Sequence, residues 1–296
     1  MHKYMRAIGF SEFNNRKRLK ELLTDVIMNS DSRSYTMNTE EIMLGDFCKN
    51  FAGKNIGIAV CGEFDDEDKF IYDYYFPYLV GTDITSYEDV SVERHASKDS
   101  YSGVCDEMKV GISLIFYLRN RIPYVKAQTT GQLPIRGTTV TLSGLSVSGS
   151  ILMPIQKNRE QRERVKKQSI NRINLINAAR KGDEDAIETL TMEDMDMYNA
   201  ISRRVPKEDI LSLVDTYFMP YGVECDQYAV LGEIIDMRLV TNDVTGEKIY
   251  ILTICSNELT FDVCINIIDL FGEPQVGRRF KGNVWLQGFI NFPEDI

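Results

Sequence analysis

Only one tryptophan and two histidines occur among the 296 residues, and none of the six cysteines forms a C-x-x-C pair. The cysteines, at 48, 61, 105, 225, 255 and 264, show neither the spacing of a zinc site nor a disulfide framework, so they read as reduced, buried thiols. With only His2 and His95 available, an imidazole-rich metal site is not expected. No apolar run approaches the roughly 20 residues that span a bilayer. "MHKYMRAIGF" lacks the apolar core and small-residue cleavage site of a secretory signal. The expectation is a cytoplasmic chain with no membrane contact. No phosphate-cradling glycine motif and no G-x-S-x-G elbow is present, so no cofactor is expected.

What is present is ordinary globular composition, 43% hydrophobic and 26% charged, with a net charge of −10. The chain is about twice the usual domain length, which predicts more than one core. Its pattern divides into an α+β fold of three parts. Residues 1–155 read as a β-rich N-terminal α+β domain. It opens with a short strand at 4–8 and an amphipathic helix from about Ser11, then a polar loop at 29–40. Strands follow at 56–61, 70–80, 90–95, 110–119 and 138–155. "GEFDDEDKF" is acidic but lacks the glycine and terminal glutamate of a calcium loop, so it reads as a solvated turn.

Residues 156–220 read as a helical connector, basic and then acidic. Between 156 and 181 there are nine Lys/Arg against two Glu, a net +7. Gly182 suits a left-handed helix cap and Pro206 the first turn of a last helix, 206–218. Residues 221–296 return to alternation, with strands at 228–241, 247–256, 259–265 and 279–290 and turns through "TNDVTGE" and "SNE". This order fits a small antiparallel OB-like β-barrel, four strands being evident where that fold has five.

Two constellations carry candidate function. In "VGRRFKGNVWLQGFINF" the period of two places Phe280, Val284, Leu286 and Ile290 on a core face. Arg279, Lys281, Asn283, Trp285, Gln287 and Phe289 fall on the other face, as a binding surface. A tryptophan beside cations is a base-stacking platform in single-stranded nucleic-acid binders. Yet residues 221–296 hold twelve Asp/Glu against five Lys/Arg, and that balance opposes polyanions. Contact with protein, either a partner or the cationic connector docked internally, is the preferred reading.

The second constellation lies in "DVSVERHASKDSYSGVCDE". Ser91, Glu93 and His95 share a strand face opposite Val90 and Val92, and Cys105 follows. A carboxylate, an imidazole and a thiol are the groups of general-base and nucleophilic catalysis, so Glu93, His95 and Cys105 are the catalytic candidates. Solvated residues on an edge strand explain the same pattern.

The blocks "SVERHASKDSYSGVCDEMKVGISLIFYLRN", "GTTVTLSGLSVSG", "FMPYGVECDQYAVLGEI" and "GEPQVGRRFKGNVWLQG" resemble those of an uncharacterised domain-of-unknown-function family of clostridial Firmicutes. The resemblance implies a bacterial cytoplasmic protein and brings no catalytic residue with it. The leading expectation is therefore a non-enzymatic interaction or regulatory protein. An enzyme or small-molecule sensor using the Glu93/His95/Cys105 region is the alternative, and single-stranded nucleic-acid binding at the Trp285 face is the third.

Overall fold

The computed structural model describes residues 2–13, 15–95, 100–107, 109–134, 136–155, 159–204 and 209–293. In chain order a 3-10 helix (Lys3–Ile8) leads to α1 (Arg16–Met28), and then to strands β1 (Ser32–Met37), β2 (Met43–Ala52), β3 (Ile56–Phe64) and β4 (Phe70–Leu79). Strands β5 (Val90–Arg94), β6 (Tyr101–Glu107) and β7 (Ile112–Leu118) precede α2 (Arg121–Thr129) and β8 (Thr139–Leu152). Helices α3 (Arg159–Arg180), α4 (Glu184–Arg204) and α5 (Ile210–Leu213) follow. The chain ends with β9 (Tyr217–Pro220), β10 (Gln227–Thr241), β11 (Lys248–Ser256), β12 (Leu259–Asn266), β13 (Leu270–Phe271) and β14 (Arg279–Asn291). The protein is mixed α+β, rich in strands and with few helices.

Strands β1 to β4 form an antiparallel meander, and the other ten strands share a second sheet. Within that second sheet β10, β11 and β12 form an antiparallel meander, β14 pairs with β10, and β8 closes the circle between β14 and β12. The result is a closed five-stranded barrel. Its fifth strand is β8, which comes from before the helices, and it runs parallel to β12, so the barrel is not wholly antiparallel as expected. Beyond β14 the sheet continues outward through β7, β6 and β5.

The period of two sorts the barrel's side chains. Phe280, Val284, Leu286, Val263, Ile265, Leu252, Ile254 and Val230 meet inside, in a core that continues under α2. Outward-facing Trp285, Leu145, Ile249, Ile251 and Cys264 belong to a second core, shared with the 3-10 helix, α1 and the four-stranded sheet. The four-stranded sheet and the N-terminal segment therefore cover this outer wall of the barrel. Glycines permit the closest approach: the Phe116 ring occupies the space that a Cβ at Gly103 or at Gly288 would need.

Several local expectations are corrected. Residues 4–8 are 3-10 helix, not strand: Tyr4, Met5, Ala7 and Ile8 are buried at helical spacing, and Gly9 ends the segment at φ +86°. The 29–40 loop contains β1, whose side chains are nearly all exposed; an edge strand of this kind carries no apolar alternation to read. Strands β2 and β6 and helix α2 were not anticipated; the stretch from Tyr101 to Asp106 reads from sequence as a polar loop. The last connector helix is shorter than expected, since α5 stops at Leu213 and β9 begins at Tyr217; residues 205–208 lie outside those described. Helices α3 and α4 form a hairpin whose turn holds Gly182 at φ +87°, and Arg172 of α3 pairs with Asp194 of α4 at 2.8 Å. No helix among the described residues is long and apolar enough to cross a membrane.

Candidate functional site

Alternation along β14 sends Trp285 outward from the barrel, where it is 5% exposed. Its indole Nε1–H donates to Asp226 Oδ2 at 2.7 Å. The ring stacks on Tyr4 with centroids 5.2 Å apart and planes 20° apart, and it meets the rings of His2 at 4.8 Å and Tyr117 at 5.1 Å. Among the described residues its cover is thus the N-terminal segment, β7 and the link before β10, not the cationic connector.

The other predicted residues of this face serve as fasteners. The Arg279 guanidinium donates to the carbonyls of Met153 (3.0 Å), Leu211 (2.9 Å) and Val214 (2.9 Å), tying the barrel to the end of β8 and to α5. Gln287 is fully buried; its Nε2 donates to the Pro77 carbonyl at 2.8 Å and its Oε1 accepts from Leu79 N–H at 3.4 Å, which joins β14 to β4. Phe289 is 38% exposed beneath the Arg119 guanidinium, 5.8 Å from the ring centroid. Lys281 and Asn283 are half-buried.

The second constellation is only partly assembled. Hairpin register places Glu93 opposite Ser102 and Val90 opposite Cys105. Cys105 therefore shares the face of Val90, away from Glu93 and His95. It is buried in the barrel-side core, and burial, reinforced by Glu107 and Asp106, pushes its thiol up to about 12. Such a thiol is protonated and unsuited to attack. Glu93 is exposed. His95 instead bonds two serines: Nε2 lies 2.5 Å from Ser102 Oγ and Nδ1 lies 3.3 Å from Ser100 Oγ.

One cavity of about 550 Å³ brings the two constellations together: His95, Ser102 and Trp285 all line it. Six aromatic rings line it: Tyr4, Tyr74, Tyr75, Phe76, Tyr117 and Trp285. Glu224, Cys225 and Asp226 edge it, with His2 and Lys3 from the N-terminal segment. Burial raises the Asp226 carboxyl and Glu224 adds to the effect, while the Trp285 N–H and His95 oppose it. Burial also lifts the Tyr4 hydroxyl to about 12. Lys3 Nζ lies 5.2 Å from the Tyr4 ring centroid.

Tyr117, Ser102, Tyr74 and Asp226 were not anticipated. Ser102 and Tyr117 are register partners, and Tyr74 and Phe76 share a face of β4, so strand alternation carried part of the signal. Nothing local to Asp226 marks it. Among the described residues no group of three or more His, Cys, Asp or Glu is placed to hold a metal ion.

Fold and site define an α+β protein with a closed five-stranded barrel, one outer wall covered by its own chain and an aromatic cavity at the seam. The model of one family matches residues 5–288, nearly the whole chain: "Domain of unknown function, E. rectale Gene description (DUF3881)". The chain belongs to that family. No curated protein and no solved structure matches it.

Proposed function

We propose that this is a non-enzymatic, bacterial cytoplasmic binding protein with a regulatory role, and that it recognises a small organic cation in the aromatic cavity. The barrel is OB-like: a three-strand meander, a fourth strand returning to the first, and a fifth between fourth and third, here supplied by β8 from earlier in the chain. The wall on which such barrels commonly bind is covered, so recognition moves to the seam beside it. The observation that carries the reading is a cavity lined by six aromatic rings and by the partly desolvated Asp226 carboxyl, which accepts the Trp285 N–H. Ring faces and a carboxylate in a low-dielectric cavity favour a cation with an apolar body. Its volume lies within the range of sites for small ligands.

Trp285, the only tryptophan, is the reporter. Tetramethylammonium and arginine amide, titrated separately into the full chain, should each change its emission saturably, with weaker binding in Asp226→Asn and Tyr117→Leu. Emission that responds to neither cation would reject the cavity as a cation site.

One observation favours a catalytic second reading. Ser102 Oγ within hydrogen-bond reach of His95 Nε2 is the arrangement of a nucleophile and its base, although Nδ1 meets a serine hydroxyl and not a carboxylate. Covalent labelling of Ser102 by a fluorophosphonate, abolished in His95→Ala, would establish that reading; an unlabelled protein would dismiss it.

A further inference from the structure

A second cavity, of about 390 Å³, opens on another part of the molecule and shares no lining residue with the aromatic one. Val90 and Val92 of the outermost strand β5, Tyr124 of α2, Ile290 of β14 and Phe292 just beyond it line the cavity. Leu133 and Pro134 close it. No charged side chain lines it among the described residues.

Its polar groups are few, and two of them are already engaged. The Tyr124 hydroxyl donates to the Val92 carbonyl at 3.4 Å, and the Ser91 hydroxyl donates to the Val104 carbonyl at 3.4 Å. Thr138 differs. It lines the cavity at 4% exposure, and its Oγ1 has no hydrogen-bond partner among the described residues. Buried hydroxyls are nearly always paired, because desolvation without a partner is costly. A mainly apolar cleft with one unpaired hydroxyl is complementary to a molecule that is apolar over most of its surface and polar at one point.

We propose that this cavity binds a small neutral molecule, mainly apolar, whose single hydrogen-bonding group meets Thr138 Oγ1. The absence of any lining charge selects against ions, which would lose hydration without compensation. The half-buried side chains of Val90, Val92, Tyr124 and Phe292 supply the apolar surface that the ligand would take from water.

The test compares four probes of one shape on the full chain: benzyl alcohol, toluene, benzoate and benzylamine, followed by saturation-transfer NMR. Benzyl alcohol should bind about fivefold more tightly than toluene, the worth of one added hydrogen bond. Both ions should bind about tenfold more weakly than the alcohol. Thr138→Val should keep toluene binding and erase the preference for the alcohol, whereas Thr138→Ser should keep the preference and so separates a lost hydroxyl from a damaged fold. Val92→Glu, at a half-buried position, should abolish binding of both neutral probes while the melting temperature stays close to that of the parent chain.

Three results would overturn the proposal: no saturable binding of either neutral probe; an alcohol-to-toluene ratio unchanged in Thr138→Val; or alcohol binding untouched by Val92→Glu, which would put the probe elsewhere. Binding confined to the benzylamine cation would do the same and would point back to the aromatic cavity.

Discussion

Asp46 and Arg121 form a buried ion pair beside the Tyr74 ring. Arg121, at the start of α2, is 2% exposed, and its guanidinium meets Asp46 Oδ1 of β2 at 2.8 Å. It also reaches the Gly62 carbonyl at 3.3 Å and lies 5.5 Å from the centroid of the Tyr74 ring, which lines the aromatic cavity. At the 2.8 Å between Arg121 and Asp46 the attraction is about 6 kcal/mol for an effective dielectric constant of about 20. Desolvating both ions offsets most of it, so the pair contributes little net stability, but removing one partner strands a buried charge. Asp46→Ala should therefore cost about 3–5 kcal/mol. Replacing both, as Asp46→Leu with Arg121→Met, should cost less than about 2 kcal/mol because no ion is left behind. Urea denaturation followed by Trp285 emission and by far-ultraviolet circular dichroism measures both variants. A cost below about 1 kcal/mol for Asp46→Ala, or a double variant as unstable as the single one, would refute the reasoning.

Gly288→Ala should destabilise by about 1–3 kcal/mol, read as a lowered urea midpoint, since its Cβ would overlap the Phe116 ring in a filled core. Tyr4→Ala should remove about 3 kcal/mol and shift Trp285 emission to longer wavelength, because the stacked ring that shields the indole is gone. Because the folded carboxyl of Asp226 has a raised pKa, its contribution to stability is fully present below the unfolded value and is lost as pH rises through the folded one. Asp226→Asn keeps an acceptor for the indole N–H and should flatten that part of the stability-versus-pH curve; a curve with the parent's slope would assign the titration to another group.

The C-terminal strands were legible because alternation and turn chemistry are local. Tyr228–Thr241 was expected and Gln227–Thr241 is found; Leu259–Ile265 was expected and Leu259–Asn266 is found. Strand β8 was also legible as a strand, but its place in the barrel was not. Its partner β12 lies more than a hundred residues away, and nothing in a single strand's pattern names a distant partner. The 3-10 helix failed as a strand for a related reason: a short apolar run satisfies both periods, and tertiary burial decides between them. Helix α2 begins with a buried arginine, a residue that patterning assigns to the surface unless its ion partner is known.

Parity settles the catalytic candidates more sharply than residue chemistry did. Once Arg94 faces Tyr101, every pair in that hairpin follows. Cys105 falls opposite Val90 and Ser102 opposite Glu93, so the thiol is excluded from the face of His95 and a serine is admitted to it. The same bookkeeping explains a cationic, aromatic strand in an acidic protein. Trp285 is held by Asp226, Arg279 by carbonyls at 153, 211 and 214, and Gln287 by the backbone of β4, so side chains suited to recognition are spent on joining the barrel to its neighbours. The Arg279 charge is met by backbone carbonyls, and the Asp226 carboxyl meets the neutral indole N–H. Beside those joints, rings from four separate parts of the chain line a space that none of them could line alone.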